Sequence, residues 1–250
     1  MVPAPLHHFS SLSSLPLIST VSQLPQSSAC PAHIHLTPWK EVNVLYPLLQ
    51  NMKESMSFSG NLEQDTSRFL RLHHCPHTAG HCLKVGYEAE RLAARFGGDP
   101  DSARAAGFLH DISTIIPNQD RIRAAWELNI DVLPEEAAFP MIIHQKLSRT
   151  IARDVFGIEN IAVLDAIECH TTLKASSTVL DRIVFIADKI EWDQAGRPLY
   201  LTELLEQLDV SLEHGVFVYI DYLWSRREQL KVVHPWLAEA HAELSVMLGV

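Results

Sequence analysis

Charge is missing from the start of this 250-residue chain: Met1 to Trp39 holds no Lys, Arg, Asp or Glu. The first basic residue is Lys40, so the positive n-region of a secretory signal is lacking. Pro3, Pro5, Pro16, Pro25 and Pro31 also break any apolar stretch that could serve as its core. No apolar run reaches the ~18–20 residues that cross a bilayer, so no membrane partner is expected. Cys30, Cys75, Cys82 and Cys169 form no CxxC pair and no regular framework, which fits a reducing cytoplasm. Basic residues are outnumbered 20 to 30, giving a formal net charge of −10. That balance argues against a general nucleic-acid coat but not against a small phosphorylated ligand in a local site. Period-two alternation and Asn-Gly or Asp-Gly turns are lacking too, so no β-hairpin is expected.

What is present is a globular composition, 47% apolar, with a length suited to one or two domains. Residues 1–65, rich in Ser, Pro and Leu, read as a poorly ordered tail. An over-extended start, with Met52 or Met56 as the true beginning, would account for it equally well. Within it, Pro38 through Leu49 could form a helix docked on the body. Residues 66–250 are helical in pattern throughout. Apolar residues recur at steps of three and four in His81–Phe96, stopped by Gly97-Gly98. Further helices are expected at Ser102–Leu109 behind an Asp99 or Asp101 cap, Ile122–Leu128, Met141–Phe156, Asn160–Cys169 and Thr178–Trp192. Ser176 or Ser177 would cap the last of these. Leu201–Leu208, Val210–Lys231 and His234–Leu248 complete one all-α domain, a compact helical bundle.

Histidine is in excess, with 14 copies, and its placement is ordered. His81 opens the first core helix, His110-Asp111 ends an apolar helix, His144 stands near the start of another, and His170 closes the next. Asp188 lies inside Ile183-Val184-Phe185-Ile186-Ala187, where an unpaired carboxylate would cost several kcal/mol. Each residue alone has a structural explanation: a cap, a satisfied polar contact, or a pair with Arg182. A divalent cation bound jointly by imidazoles and carboxylates would explain the whole set at once. Adjacent helical residues project ~100° apart, so His110 and Asp111 converge on one ion only where a helix is ending, as it is here.

The set resembles the HD-domain phosphohydrolases, and more narrowly the YqeK-type symmetrical diadenosine tetraphosphatases. The likeness is carried by His81-Cys82-Leu83-Lys84-Val85, Gly107-Phe108-Leu109-His110-Asp111, His144, Ala166-Ile167-Glu168-Cys169-His170-Thr171-Thr172 and Ala187-Asp188-Lys189-Ile190-Glu191. It runs from about Pro76 through His234-Pro235 to the C-terminus. It implies an HD-domain helical bundle with His81, His110, Asp111 and Asp188 as metal ligands. Asp111, His144 and His170 would act in catalysis, with His144 and His170 facing the phosphates or helping to hold a second ion. Thr171, Thr114 and Arg197 would also contact substrate. Iron is the metal implied, one or two ions, and the imidazole–carboxylate set also suits Mn, Co or Ni. The partner implied is a small nucleotide, with a homodimer compatible and nucleic acid not.

The chain departs from that pattern at its cationic positions. Thr78 stands where the family usually carries an Arg three residues before the first metal His. Gln194 stands near a second such Arg, and Thr114 replaces a Lys. Each lost charge-assisted contact is worth ~1.5–3 kcal/mol. Lys84, Lys146, Lys174, Lys189 and Arg197 are the candidates to compensate. The implied activity is metal-assisted hydrolysis of a dinucleoside tetraphosphate at its centre. The alternatives are hydrolysis of a smaller nucleotide or phosphomonoester, and nucleotide binding without turnover.

Overall fold

Pro76 at the first helical position and Gly97 in the left-handed conformation (φ +78°) bracket the longest helix of the structure, α3 (Pro76–Phe96). The structure, a computed structural model, describes residues 47–193 and 196–250. Ahead of α3 lie α1 (Pro47–Glu54) and α2 (Leu62–Leu72); behind it come α4 (Pro100–Leu109), α5 (Arg121–Glu127) and α6 (Pro134–Ala138). Then follow α7 (His144–Asp154), α8 (Ile161–Cys169), α9 (Val179–Ile190), α10 (Leu201–Leu208), α11 (Leu212–Trp224) and α12 (Pro235–Leu248). No strand occurs among the described residues, and no described helix is long and apolar enough to cross a membrane. The all-α expectation holds.

Side-chain caps set most of these boundaries. Asp99 accepts from the Ser102 amide at 3.1 Å to start α4, and Asn160 accepts from Ala162 to start α8. The cap of α9 is Thr178, not Ser176 or Ser177. Thr178 and Asp181 form a reciprocal capping box, whereas Ser177 accepts from Arg182 Nε. Three other boundaries differ from the sequence pattern. α3 begins at Pro76, so His81 sits inside it; α7 begins at His144, because residues 141–143 form a turn; and the Val210–Lys231 segment divides after Trp224.

Residues 47–65 belong to the helical body. Leu49, Met52 and Met56 are buried in the same apolar cluster as Phe69 and Leu70 of α2. Asp65, expected at the end of a tail, instead accepts hydrogen bonds from the Ser59 and Gly60 amides inside this folded segment. The remainder of the expected tail, Pro38–Trp39 included, lies outside the described residues.

Two apolar clusters make up the core, and α3, α4, α8 and α9 serve both. Ala79 and Cys82 of α3 belong to the first, and Val85, Ala89 and Leu92 to the second. Helices α3 and α4 meet backbone to backbone: a Cβ on Gly107 would lie 2.6 Å from Gly86 Cα, and one on Gly86 would lie 2.1 Å from Phe108 Cδ1. That approach is open only to glycine. It sets His81 and His110, just beyond the crossing, with ring centroids 5.1 Å apart.

Two substitutions test this architecture. Leu49→Ala should cost about 2–5 kcal/mol if α1 is core, lowering Tm by several degrees at about 2–4 °C per kcal/mol; an unchanged melting curve would return α1 to the tail. Gly107→Ala should force α3 and α4 apart at about 1–3 kcal/mol, and it should reduce metal retention where a surface glycine replacement such as Gly80→Ala does not.

Candidate metal centre

Four helix ends and one helix interior supply the site. His110 caps the C-terminus of α4, His170 that of α8, and His144 opens α7. In each, ring Nδ1 faces the carbonyl three residues earlier: Gly107 at 2.8 Å for His110, Ile167 at 2.8 Å for His170, and Met141 for His144. Only an N–H can use that geometry. Nδ1 therefore carries a proton in each, and Nε2 is the nitrogen left to bind an ion. For His110 and His170 the last turn of the helix offers the backbone acceptor; for His144 the turn before α7 does.

Two donor triads result, sharing His110. His81, His110 and Asp188 form one, and His110, Asp111 and His170 the other, with the donor atoms of each triad within 4.8 Å of one another. His81 Nε2 lies 3.0 Å from Asp188 Oδ1. His144 Nε2 lies 3.1 Å from Asp111 Oδ1 and 2.9 Å from His170 Nε2. Two imidazole lone pairs cannot face each other at that distance without a positive charge between or beside them. The Thr171 hydroxyl lies 3.2 Å and 3.1 Å from the same two nitrogens. Asp111 Oδ1, His110 Nε2 and His81 Nδ1 are buried with no hydrogen-bond partner. The orphaned atoms of His110 and Asp111 at the end of α4, beside His81 Nε2 of α3 and Asp188 of α9, fit a divalent ion.

The electrostatics point the same way. Burial would raise both carboxyls, but His110 and His144 hold Asp111 well below its ordinary range, and Lys189 and His110 do the same for Asp188. Burial would lower His110, yet the Asp111 carboxylate overrides it and holds the imidazolium well above the usual value. His170 goes the other way, drawn by burial down to about 4 despite its contact with Asp111. Without an ion, the two carboxylates are balanced by a proton on His110 and by Lys189.

These groups line a cavity of about 570 Å³ that also reaches Thr78, Thr114, Arg121, Trp192 and Tyr219. His81, Asp111, His144, His170, Thr171 and Asp188 all face it; His110 is fully buried behind them. Arg197 is exposed and is not among the residues that line it. Gln194 lies outside the described residues. Of the other cations, Lys84 and Lys174 are not in the lining. Lys189 is committed to Asp188. Lys146 is sunk in a separate cluster, 2.9 Å from Glu136 Oε2, with His234 Nε2 3.5 Å from the other Glu136 oxygen.

Three supporting residues escaped the sequence. Gln145, fully buried, accepts from the Thr171 amide at 3.1 Å and donates to the Thr172 hydroxyl at 3.1 Å, fixing the turn after His170. Ser113 donates to the His144 carbonyl at 2.8 Å and accepts from Ser148, tying the turn after Asp111 to α7. Arg121, ten residues beyond Asp111, reaches the cavity wall. The only signal for Gln145 and Ser113 was nearness to His144 and Asp111, which any polar residue shares, and Arg121 had none.

Ion binding at His110 requires loss of its proton, so loading and pH are coupled. Since the folded-state value is raised, the proton is held at neutral pH and affinity should weaken as pH falls. Calorimetric titration of metal-free protein with Mn²⁺ at pH 7, in buffers of different ionisation enthalpy, should show release of about one proton per chain. His110→Asn should abolish that release. Asp188→Asn should cut retained metal at least tenfold by elemental analysis.

Comparison with known proteins places this geometry. The HD domain family model matches residues 78–193. An uncharacterised protein in the pepC 5′ region of Lactococcus lactis subsp. cremoris is 47% identical over 147 residues, which are 59% of this chain and 74% of that one. A symmetrical bis(5′-nucleosyl)-tetraphosphatase of Staphylococcus aureus is 33% identical over 113 residues, 44% of this chain and 57% of that protein's length. The crystal structure of a predicted HD superfamily hydrolase involved in NAD metabolism, from Clostridium acetobutylicum, superposes with a TM-score of 0.68 at 25% identity. It covers 77% of this chain and 99% of the other. The matched span starts three residues before His81 and ends five after Asp188, so it encloses both donor triads, and this chain belongs to the HD-domain family.

Proposed function

We propose that the protein is a metal-dependent hydrolase of nucleotide phosphoanhydrides, cutting a dinucleoside tetraphosphate such as diadenosine tetraphosphate symmetrically into two nucleoside diphosphates. The observation that carries this is the pair of His/Asp triads sharing His110 in the wall of a cavity of small-molecule size. The name borne by the staphylococcal relative supports the substrate class. His81, His110, Asp111 and Asp188 hold the ion, and His170 is positioned to complete a second set, which accommodates one or two ions. Iron suits a mixed imidazole–carboxylate set, as do Mn, Co and Ni. When bound, the ion supplies Lewis-acid polarisation of a phosphoryl oxygen and lowers the pKa of water.

The chain's own groups do the rest. Asp111, ionised and facing both His144 and His170, anchors the charge of the site. Thr171 offers its hydroxyl to a phosphate oxygen. His144 Nε2, fixed by its Nδ1 bond to Met141, receives and returns a proton beside the transferred phosphoryl group. Trp192, 41% exposed at the cavity, gives a nucleobase an aromatic surface.

A second candidate is a smaller nucleotide or phosphomonoester. It is favoured by Thr78 and Thr114, which line the cavity without charge. The deciding experiment incubates Mn²⁺- or Fe²⁺-loaded protein with diadenosine tetraphosphate, other dinucleotides and nucleoside monophosphates, and separates the products by anion exchange. The expected product of the tetraphosphate is ADP alone, with His144→Ala reducing kcat at least a hundredfold. Thr78→Arg should lower KM for the tetraphosphate about tenfold, or ~1.4 kcal/mol. ATP plus AMP, or turnover of monophosphates only, would refute symmetrical cleavage.

A further inference from the structure

Four Lys and Arg side chains are buried among the described residues: Arg121, Lys146, Arg182 and Lys189. Three have a carboxylate at ion-pair distance. Lys146 pairs with Glu136, Arg182 with Glu213 at 2.8 Å, and Lys189 with Asp188. Arg121 has no such partner among the described residues. Its Nε donates to the Ile116 carbonyl at 3.2 Å and its Nη1 to the Met141 carbonyl at 3.3 Å. Those bonds satisfy two of five N–H groups and neutralise no charge. A guanidinium only 9% exposed, whose burial outweighs the attraction of the more distant Asp111 carboxylate, is left under-compensated.

Its location says where the counter-charge comes from. Arg121 lines the same cavity as Asp111, His144 and His170. The Met141 carbonyl accepts from both Arg121 Nη1 and His144 Nδ1, so one backbone atom fixes the guanidinium and the imidazole relative to each other. Thr114 and Thr78, the other positions where a cation would be expected on this wall, carry none.

We propose that Arg121 is the anion-binding residue of this cavity, and that its ligand is a terminal phosphate of the nucleotide, held beside His144. The identity of the anion rests on the nucleotide hydrolysis proposed above; the existence of an anion site rests on the unpaired guanidinium alone. A planar fork held at two nitrogens keeps its free edge in one orientation, which suits two phosphate oxygens in a way an ammonium does not.

The test uses full-length Mn²⁺-loaded protein, with ADP, pyrophosphate and adenosine as probes, followed by calorimetry and thermal shift. ADP and pyrophosphate should bind and raise Tm, and adenosine should do neither. Arg121→Gln should weaken ADP and pyrophosphate at least tenfold, leave bound Mn²⁺ unchanged, and leave the ligand-free Tm equal or higher, since an uncompensated charge has been removed. Arg121→Lys should recover part of the affinity. A merely structural arginine predicts the reverse, a lowered ligand-free Tm with unaltered affinity, and that result overturns the proposal. So does wild-type protein that binds neither anion. If the wild type hydrolyses no nucleotide yet binds ADP through Arg121, the proposed activity fails and the anion site stands. If hydrolysis proceeds with KM and ADP affinity untouched by Arg121→Gln, the anion site fails and the activity stands.

Discussion

Everything at the metal centre depends on how closely α3 and α4 approach at Gly86 and Gly107. Two α-helices usually keep axes 8–10 Å apart because side chains stand between them. Here neither contact residue has a side chain, and the backbones touch. The gain is positional. His81 comes from the middle of one helix and His110 from the end of the other, and no loop intervenes to let either drift. α9 then packs on both and delivers Asp188 against His81.

The second ingredient is a repeated local device. Three histidines from three helix termini spend Nδ1 on the carbonyl three residues back and present Nε2 inward. A helix C-terminus leaves carbonyls unsatisfied, and His110 and His170 use that surplus to fix their own tautomers, while His144 uses a carbonyl of the turn that precedes α7. Positioning of this kind costs no extra residues. It also concentrates negative charge, because Asp111 and Asp188 must be ionised where burial opposes it. The surrounding helices tolerate this because Lys189, His110 and an incoming cation all offset the same two carboxylates.

Much of this was legible in the sequence. The apolar spacing of α3, α4, α8 and α9 and the placement of His110, His170 and Asp188 follow from periodicity and stop signals, which are local. What failed was non-local or hidden in composition. Residues 47–65 looked like tail because they share its Ser-rich character, yet Leu49 and Met52 find their partners across α2. Arg197 lay at a plausible spacing after Asp188, but spacing alone does not say which side chains reach the cavity, and this one stays exposed outside it. Lys146 looked like a spare cation until Glu136, ten residues upstream, proved to hold it. Arg121, Gln145 and Ser113 acquire meaning only from what they face.

The buried trio of Glu136, Lys146 and His234 links the far end of the chain to this centre. His234 starts α12 by accepting from the Trp236 amide, and its other nitrogen faces Glu136; Lys146 lies two residues after His144. Peeling α12 away would take His234 from Glu136 and leave Lys146 as the remaining cationic partner of that carboxylate. The start of α12 is thereby tied, through Glu136 and Lys146, to the helix that carries His144.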